Sequence, residues 1–463
     1  MSSPTTLTLD GSGRIRTPRI GRSEQIVAVA VVLLLFLEHL AFGGGRREIA
    51  LGFAAVQGLA LAVLILVAPW GRQALARPTG LRVPAIAFGV VVLVALWSLT
   101  PWVPGGPHPV WTYVQAPAAA AIDKSAVLIQ LIQLSALACV FLLGWILGAD
   151  DDRARYLFGV LVLAAGGFAV WAFVQHLVDP AVLFGVVPMP ASEVRLTAAF
   201  LSANTAGTWF GVAVLLTACA LVDRLRDRSG PGSLGRALQR GAGVLVALAF
   251  CSACLILTAS RGALAATAVA LVVFFGWEAA ARRWRLIGPA GLGMLALVLG
   301  LAALLLIGGT PFFERLLHVG QDVAGRRQIS DAHWHAFLAS PWMGYGLGSF
   351  DAIDKLITTG PNYAVLWIIH AAHNVYLQWL EEAGILGAVP MFFCIAWLVA
   401  VMARGSVRRT RLTTWLRGLV AASLVILIHG ATDYALQVPS MATFWAFLLG
   451  VGAAVATRQA VRS

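Results

Sequence analysis

Long runs of apolar residues, separated by shorter polar stretches, make up most of this 463-residue chain. Each run is close to the ~20 residues that an α-helix needs to cross the hydrocarbon core of a bilayer. The pattern therefore predicts an all-α polytopic membrane protein with about twelve transmembrane helices. The predicted spans are 26–42, 49–69, 84–103, 125–148, 156–177, 205–222, 242–259, 262–280, 290–308, 385–403, 418–437 and 440–456.

Composition agrees with this pattern and excludes a set of ordinary soluble domains. The chain is 59% hydrophobic and only 12% charged, whereas soluble domains carry about 25% charged residues. The sequence pI of about 10.4 does not indicate nucleic-acid binding, because the arginines are spread over many short loops instead of one face.

The distribution of Lys and Arg predicts the orientation of the spans. Most of the 33 Lys and Arg residues fall in the two tails and the even-numbered loops, whereas acidic residues favour the other face. The positive-inside rule then places both termini in the cytoplasm. The predicted regions are a cytoplasmic tail (1–25), helices one to nine (26–308), a large outer loop (309–384), helices ten to twelve (385–456) and a cytoplasmic tail (457–463).

The outer loop over 309–384 is expected to be folded and functional. A loop of this length without structure is uncommon in a compact protein, and its many aromatic residues argue against disorder. Trp and Tyr are favoured at the membrane interface, so we expect a helical cap lying there. All nine histidines also fall at or near this face. Because histidine titrates near neutral pH, the chemistry is expected outside the cytoplasm.

The strongest candidate residues within the loop are His373 and Asn374. Asn374 precedes an apolar-periodic run and fits a helix N-cap, with Gly384 as the helix stop. The positive end of that helix would lower the pKa of His373 and favour a neutral ring able to accept a proton. His370 and Glu381 are candidate supporting residues, since one continuous helix would align them with this face. The alternative is that His373 only caps or packs the helix.

Four arginines near the outer face are candidate anion ligands: Arg195, Arg261, Arg326 and Arg327. A guanidinium matches a phosphate or diphosphate bidentately and does not lose its charge. Several arginines that converge there would bind the anionic head of a phosphorylated lipid. Snorkelling to the interface is the alternative for each of them, and the sequence leaves open which member of the Arg326/Arg327 pair faces the site.

Two further histidine patterns point to less specific roles. His429, Asp433 and Gln437 recur every four residues in the eleventh predicted span, which predicts one polar stripe that is either functional or an interhelical hydrogen-bond lock. His333-x-His335 and His370-x-x-His373 match no metal-binding template, so we predict no metal site. A Walker motif and a Rossmann fingerprint are absent from the sequence, and no cofactor is predicted.

At these residues the chain resembles the O-antigen ligase and polymerase-like membrane glycosyltransferases. The ligase signature is His, then Asn, Ser or Gln, nine residues, Gly, two residues, and then Gly, Thr or Tyr. His373, Asn374, Gly384 and Gly387 satisfy it in full. The preceding segment GRRQISDAHWHAFLASPWMGYGLGSF is similar to the family's Arg…Trp…Pro…Gly-x-Gly-x-x-x-Phe pattern. The similarity covers roughly 195–450.

The resemblance implies a GT-C-like helical bundle in the bacterial inner membrane that acts on the periplasmic side without a metal. Its expected reaction transfers a glycan from undecaprenyl diphosphate to an acceptor hydroxyl. His373 with Asn374 would activate or orient the acceptor, and the four arginines would bind the diphosphate. His370, Glu381, His429 and Asp433 would support them.

The sequence does not distinguish between two acceptors. A ligase would use lipid A core, and a polymerase would use another lipid-linked glycan. The expected partners are an undecaprenyl-diphosphate-linked glycan and membrane lipids, with no nucleic acid. A transporter or flippase for lipid-linked sugars is the third reading, but it predicts two related halves with interrupted helices, which the hydropathy pattern does not show.

Overall fold

A computed structural model describes residues 20–76, 80–179, 182–183, 187–188, 195–200, 202–226, 234–281 and 319–458. These residues are almost entirely helical. The helices are α1 (Arg22–Leu40), α2 (Arg47–Val67), α3 (Pro69–Ala76), α4 (Arg82–Ser98), α5 (Val110–Val114), α6 (Lys124–Gly148), α7 (Asp151–Val178), α8 (Ala203–Arg226), α9 (Leu234–Leu257), α10 (Arg261–Ala281), α11 (Val319–Ala339), α12 (Phe350–Ile357), α13 (Tyr363–Leu366), α14 (Val375–Arg408), α15 (Thr413–His429) and α16 (Pro439–Thr457).

Three short 3₁₀ helices and one small hairpin complete the described secondary structure. The 3₁₀ helices are Phe42–Gly44, Ala198–Phe200 and Ala435–Gln437. The hairpin pairs β1 (Val182–Leu183) with β2 (Val187–Pro188) in antiparallel register.

Eight helices in the described part of the chain are long and apolar enough to cross a membrane: α1, α2, α6, α7, α8, α10, α14 and α16. Three shorter apolar helices accompany them, namely α4, residues 241–257 of α9, and α15. Each predicted span except 290–308 coincides with one of these eleven helices. Because 290–308 lies outside the described residues, the count of twelve stays a prediction.

Helix α8 lies at the centre of the bundle, where it packs against α7, α9, α10 and α15. Trp209 of α8 is fully buried, and its indole nitrogen donates a 2.9 Å hydrogen bond to Nε2 of His39. Phe36 and Phe444 pack edge-on around the same rings, which joins α1 and α16 to this core. The indole N–H therefore has a partner although it lies at the apolar centre.

Small residues let α6 and α16 approach closely. Gly450 lies against the backbone of Phe141, and Gly144 lies against the backbone of Phe447, so that a Cβ at either glycine would collide with a carbonyl oxygen. Small residues at a helix interface are typical of membrane helix packing. This contact holds the middle of α16 against α6.

Ion pairs join helix ends within the predicted cytoplasmic regions. Arg153 lies 2.5 Å from Glu24, and Arg409 lies 2.7 Å from Asp151. These pairs connect α7 to α1 and to the segment after α14. Some arginines that contribute to the positive-inside pattern are therefore also structural.

Within the predicted loop 309–384, the described residues form α11, α12, α13 and the beginning of α14. The prediction that a helix would stop at Gly384 is confirmed, because the first part of α14 ends at this residue and a second helical part follows directly across a kink. Gly384 has φ 60° and ψ −175° and bends the helix. The bend exposes two backbone N–H groups, and Ile385 and Leu386 donate them to the carbonyls of Pro341 and Trp342 at 2.8 and 3.1 Å. Such a backbone conformation is essentially restricted to glycine.

The eleventh predicted span is too long at its outer end. Helix α15 ends at His429, Asp433 lies in the following turn, and Gln437 belongs to a separate 3₁₀ helix. The prediction of one helical stripe through these three residues is therefore wrong. The turn is held by a 2.9 Å hydrogen bond from the N–H of Val375 to the carbonyl of Gly430. This bond joins the turn to the beginning of α14.

Candidate active site

The local backbone fixes His373 immediately before α14. As the sequence predicted, Asn374 is the N-cap, and its side-chain oxygen accepts hydrogen bonds from the N–H groups of Tyr376 and Leu377, both at 3.1 Å. His373 adopts a left-handed conformation with φ 51°, which is uncommon for a residue other than glycine. The imidazole is thus held by a strained residue beside a well-formed cap.

The His373 ring packs edge-on against Tyr434, with the ring centroids 4.9 Å apart. Burial, together with the smaller effect of the positive charge of Arg326, lowers the pKa of His373 to about 4. The direction agrees with the sequence-based prediction, but the causes differ because that prediction invoked the helix dipole. The imidazole is therefore neutral at pH 7. Its Nδ1 is buried and has no hydrogen-bond partner among the described residues.

Helix α11 brings Arg326 to the turn after α15. Its Nη1 donates a 3.1 Å hydrogen bond to the carbonyl oxygen of Thr432. Arg327 lies elsewhere, with a side chain that is 80% exposed and an Nε 3.7 Å from Asp331. Of the pair, Arg326 is thus the member that contacts this turn, and it is close enough to His373 to lower the pKa of its imidazole.

Asp433 occupies the same turn and is completely buried. Burial raises the pKa of its carboxyl group to about 6, against the opposing effects of the Tyr434 N–H, Arg326 and Asn204. A carboxyl group with this pKa changes charge close to neutral pH. The cation of Arg326 therefore has a titratable neighbour.

Arg195 is linked to Asp433 through Asn204. Its Nη2 donates to Oδ1 of Asn204 at 2.9 Å, and its Nε donates to the carbonyl of Thr258 at 2.7 Å. Asn204 is also close enough to influence the pKa of Asp433. The structure thus connects Arg195 to the turn that contacts Arg326.

Arg261 begins α10 next to the end of α15. A Cβ added to the following Gly262 would lie 2.7 Å from Cδ2 of His429. The His429 ring is buried, and its Nδ1 lies 2.7 Å from the hydroxyl oxygen of Thr208. His429 therefore packs between α8 and α10, four residues before Asp433.

Two candidate residues have partners away from the His373 ring. Glu381 is buried and contacts Nδ1 of His333 at 2.8 Å. His370 is 86% exposed and lies 3.3 Å from Asp351. The expected alignment of both residues with His373 on one continuous helix is wrong, because α14 begins only at Val375.

Sequence reasoning missed Tyr434 and Thr432 as site residues. Both lie in the turn that the hydropathy pattern assigned to a helix, so helical periodicity gave them no distinct position. The sequence signal that could have identified these two positions is the polar character of the neighbouring residues, not their spacing.

A cavity of about 490 Å³ lies between α2, α4, α6, α14, α15 and α16. Its walls are mostly apolar, and it reaches Val375, Tyr376, Gly430 and Gln437, which flank His373 and Asp433 in the chain. Within the described ranges, no group of three or more His, Cys, Asp or Glu side chains could hold a metal ion.

These features define a helical membrane protein in which a cation and a neutral imidazole meet near an apolar cavity. Residues 246–392 match the family model described as O-antigen ligase. The match confirms the resemblance found in the sequence, and it supports a glycosyl-transferring enzyme of O-antigen ligase type. The matched range includes Arg261, Arg326 and His373, whereas Arg195 and Asp433 lie outside it. A comparison with curated proteins gave no match.

Proposed function

We propose that this chain is a glycosyltransferase of the bacterial inner membrane that moves a glycan from undecaprenyl diphosphate to an acceptor hydroxyl on the periplasmic side. The observation that carries the proposal is the approach of Arg326 to His373 beside the Thr432–Asp433 turn. A fixed cation can stabilise the departing diphosphate. A neutral imidazole can receive the proton of the attacking hydroxyl.

The donor diphosphate would bind Arg326 and Arg195, which are both linked to Asp433, with Arg261 contributing from the start of α10. The three guanidinium groups keep their charge at any physiological pH. Asp433 would prevent these cations from repelling one another before the donor arrives. Arg327 would not contact the donor, because it is directed toward Asp331.

His373 would bind the acceptor hydroxyl through its neutral ring. A pKa of about 4 makes the free imidazole a weak base, but a bound diphosphate would offset the charge of Arg326 and raise that pKa. In the transfer step the acceptor oxygen bonds to the anomeric carbon as the bond from that carbon to the diphosphate oxygen breaks. The hydroxyl proton passes to His373. One displacement inverts the anomeric centre.

The apolar cavity supports a lipid-linked substrate. Its walls suit hydrocarbon, and its lining includes Val375, two residues after the proposed catalytic His373. An isoprenoid tail in this cavity would leave its diphosphate near the arginines. The proposed partners are thus a polyprenyl-diphosphate-linked glycan and membrane lipids.

Polymerisation of lipid-linked repeat units is the second candidate function. The segment His429-Asp433-Gln437-Pro439 resembles exopolysaccharide polymerase relatives, and Gln437 and Pro439 line the cavity. The same residues would perform the same chemistry, with another lipid-linked glycan in place of lipid A core.

An acceptor competition tests which reaction occurs. The purified protein in liposomes is given an undecaprenyl-diphosphate glycan alone or together with lipid A core, and the products are separated by mass. Glycan attached to lipid A core supports a ligase, and a longer lipid-linked glycan supports a polymerase. Passage of intact donor across the bilayer without either product contradicts both and favours a flippase.

A further inference from the structure

A buried imidazole between two carboxyl groups joins the helices that carry Arg326 and His373. His333 of α11 is completely buried, and its Nδ1 lies 2.8 Å from Oε1 of Glu381 in α14. Its Nε2 lies 3.4 Å from Oδ1 of Asp354 in α12. The ring also stacks on Phe350, with centroids 4.7 Å apart and planes inclined by 23°. We call His333, Glu381 and Asp354 the cap clamp.

The cap clamp is at a fixed distance from the proposed site on both helices. His333 follows Arg326 by seven residues in α11, and Glu381 follows Asn374 by seven residues in α14. Seven residues correspond to about 10.5 Å along a helix axis. The clamp therefore joins α11 and α14 two turns away from the point where Arg326 and His373 meet.

The three side chains depend on one another electrostatically. Glu381 Oε2 and Asp354 Oδ1 are buried and have no hydrogen-bond partner among the described residues. Buried carboxylates are strongly unfavourable without a nearby cation or hydrogen-bond donor. The imidazole between them supplies this compensation. Loss of the imidazole would therefore separate the surfaces that it joins.

Backbone contacts bring the surrounding loop into the same unit. The Tyr345 N–H donates to the Glu381 carbonyl at 3.0 Å, and the Tyr345 hydroxyl donates to the Ala336 carbonyl at 3.1 Å. Glu381 belongs to the cap clamp itself, and Ala336 follows His333 by three residues, which is about one turn of α11. The joint between α11 and α14 is thus rigid close to the clamp, while Arg326 extends from it over two helical turns.

We propose that His333 is a positioning residue, which holds α11 on α14 so that Arg326 stays beside His373. This inference rests on the proposed function of Arg326 as a diphosphate ligand. His333 itself is too deeply buried to contact the substrate. Its effect on donor binding would be transmitted entirely through the position of Arg326.

The test measures how strongly His333→Gln affects the binding of synthetic undecaprenyl diphosphate to protein in nanodiscs. In the wild-type background we expect the Kd to rise roughly tenfold, which lies within the range of coupling between residues of one network. In an Arg326→Ala background we expect almost no further rise, since residues that act through one contact are not additive. Equal rises in both backgrounds would overturn the proposal.

Matched variants separate positioning from misfolding. His335→Gln makes the same substitution two residues away, where the side chain is exposed and bonds the Asp331 carbonyl; it should leave the Kd unchanged. Asp354→Asn is the milder variant if His333→Gln does not fold, and it should show the same dependence on Arg326. Misfolding would lower the bound fraction at saturation without changing the Kd, which would count against positioning.

The same data distinguish a failure of the clamp from a failure of the proposed function. If Arg326→Ala alone leaves the Kd for undecaprenyl diphosphate unchanged, then Arg326 is not a donor ligand and both proposals fail. If Arg326→Ala weakens binding but His333→Gln does not, only the positioning role is wrong.

Discussion

Arg326 donates a hydrogen bond to the carbonyl oxygen of Thr432 at 3.1 Å, although the two residues are 106 positions apart in the chain. This contact joins the cap helix α11 to the turn between α15 and α16. It places a permanent positive charge beside Asp433 and close enough to His373 to lower its pKa. The proposed chemistry depends on this juxtaposition.

Replacement of His373 tests the proposed acceptor base. We expect His373→Ala to lower kcat by roughly 10² to 10⁴, the usual contribution of general-base catalysis, while donor affinity is preserved. Glycan transfer in liposomes measures kcat. His370→Ala is the matched control, since His370 is exposed and contacts Asp351, and it should retain nearly full activity. Wild-type kcat in the His373 variant would remove this residue from the mechanism.

Arg326→Lys tests whether the fork of the guanidinium is needed. The substitution keeps the charge but removes bidentate binding, so we expect a higher KM for the donor. The control is Arg327→Lys on the same helix. The Arg327 side chain is exposed beside Asp331, so this substitution should leave the KM for the donor unchanged. An equal response of the two variants would argue against a specific role for Arg326.

Asn374→Ala should destabilise the protein by about 1 kcal/mol, the typical contribution of an N-cap. The lost acceptor would leave the N–H groups of Tyr376 and Leu377 without their partner. Because Asn374 directly follows His373, loss of the cap should also affect the proposed catalytic residue. Transfer activity should therefore fall even under conditions in which the variant stays folded. Thermal unfolding and transfer assays measure the two effects. Asn374→Ser retains a capping oxygen and should restore most of both; no recovery would indicate a role for the amide itself.

The buried carboxyl of Asp433 should make donor binding depend on pH. Its pKa is raised to about 6, so the group is ionised above this pH and neutral below it. The negative charge opposes an anionic donor, and affinity should therefore rise several-fold as the pH falls from 7 to 5. In the donor-free protein His373, with a pKa of about 4, stays mostly neutral across this range.

The control for this pH dependence is Asp433→Asn, which removes the titrating group. This variant should bind the donor tightly at both pH values, as measured by titration with an undecaprenyl-diphosphate glycan. A pH step that persists in the variant would assign the titration to another group.

Much of the fold follows from the sequence because apolar length is a strong signal. Eleven predicted spans coincide with apolar helices, and Asn374 is the N-cap that its place before an apolar run predicted. The errors occur where tertiary hydrogen bonds replace helical ones. The eleventh predicted span, for example, ends as a helix at His429, and the carbonyl of the following Gly430 accepts a hydrogen bond from the N–H of Val375.

The residue types of the candidate site could be predicted from the sequence, but the contacts between those residues could not. Charge and spacing singled out Arg326, His373 and Asp433, yet only folding decides that Arg326 rather than Arg327 faces the turn. The burial of Glu381 against His333 could not be read from the sequence. Contacts between distant segments have no periodic signal along the chain.

The most direct test of the central claim is the product balance of the purified protein in liposomes with a defined undecaprenyl-diphosphate glycan and its acceptor. We expect one undecaprenyl diphosphate released for each glycan transferred, with both products formed at least roughly 10²-fold more slowly by folded His373→Ala protein and also more slowly by folded Arg326→Ala protein. Equal transfer by these two variants, or consumption of donor without any glycan on an acceptor, would contradict the claim.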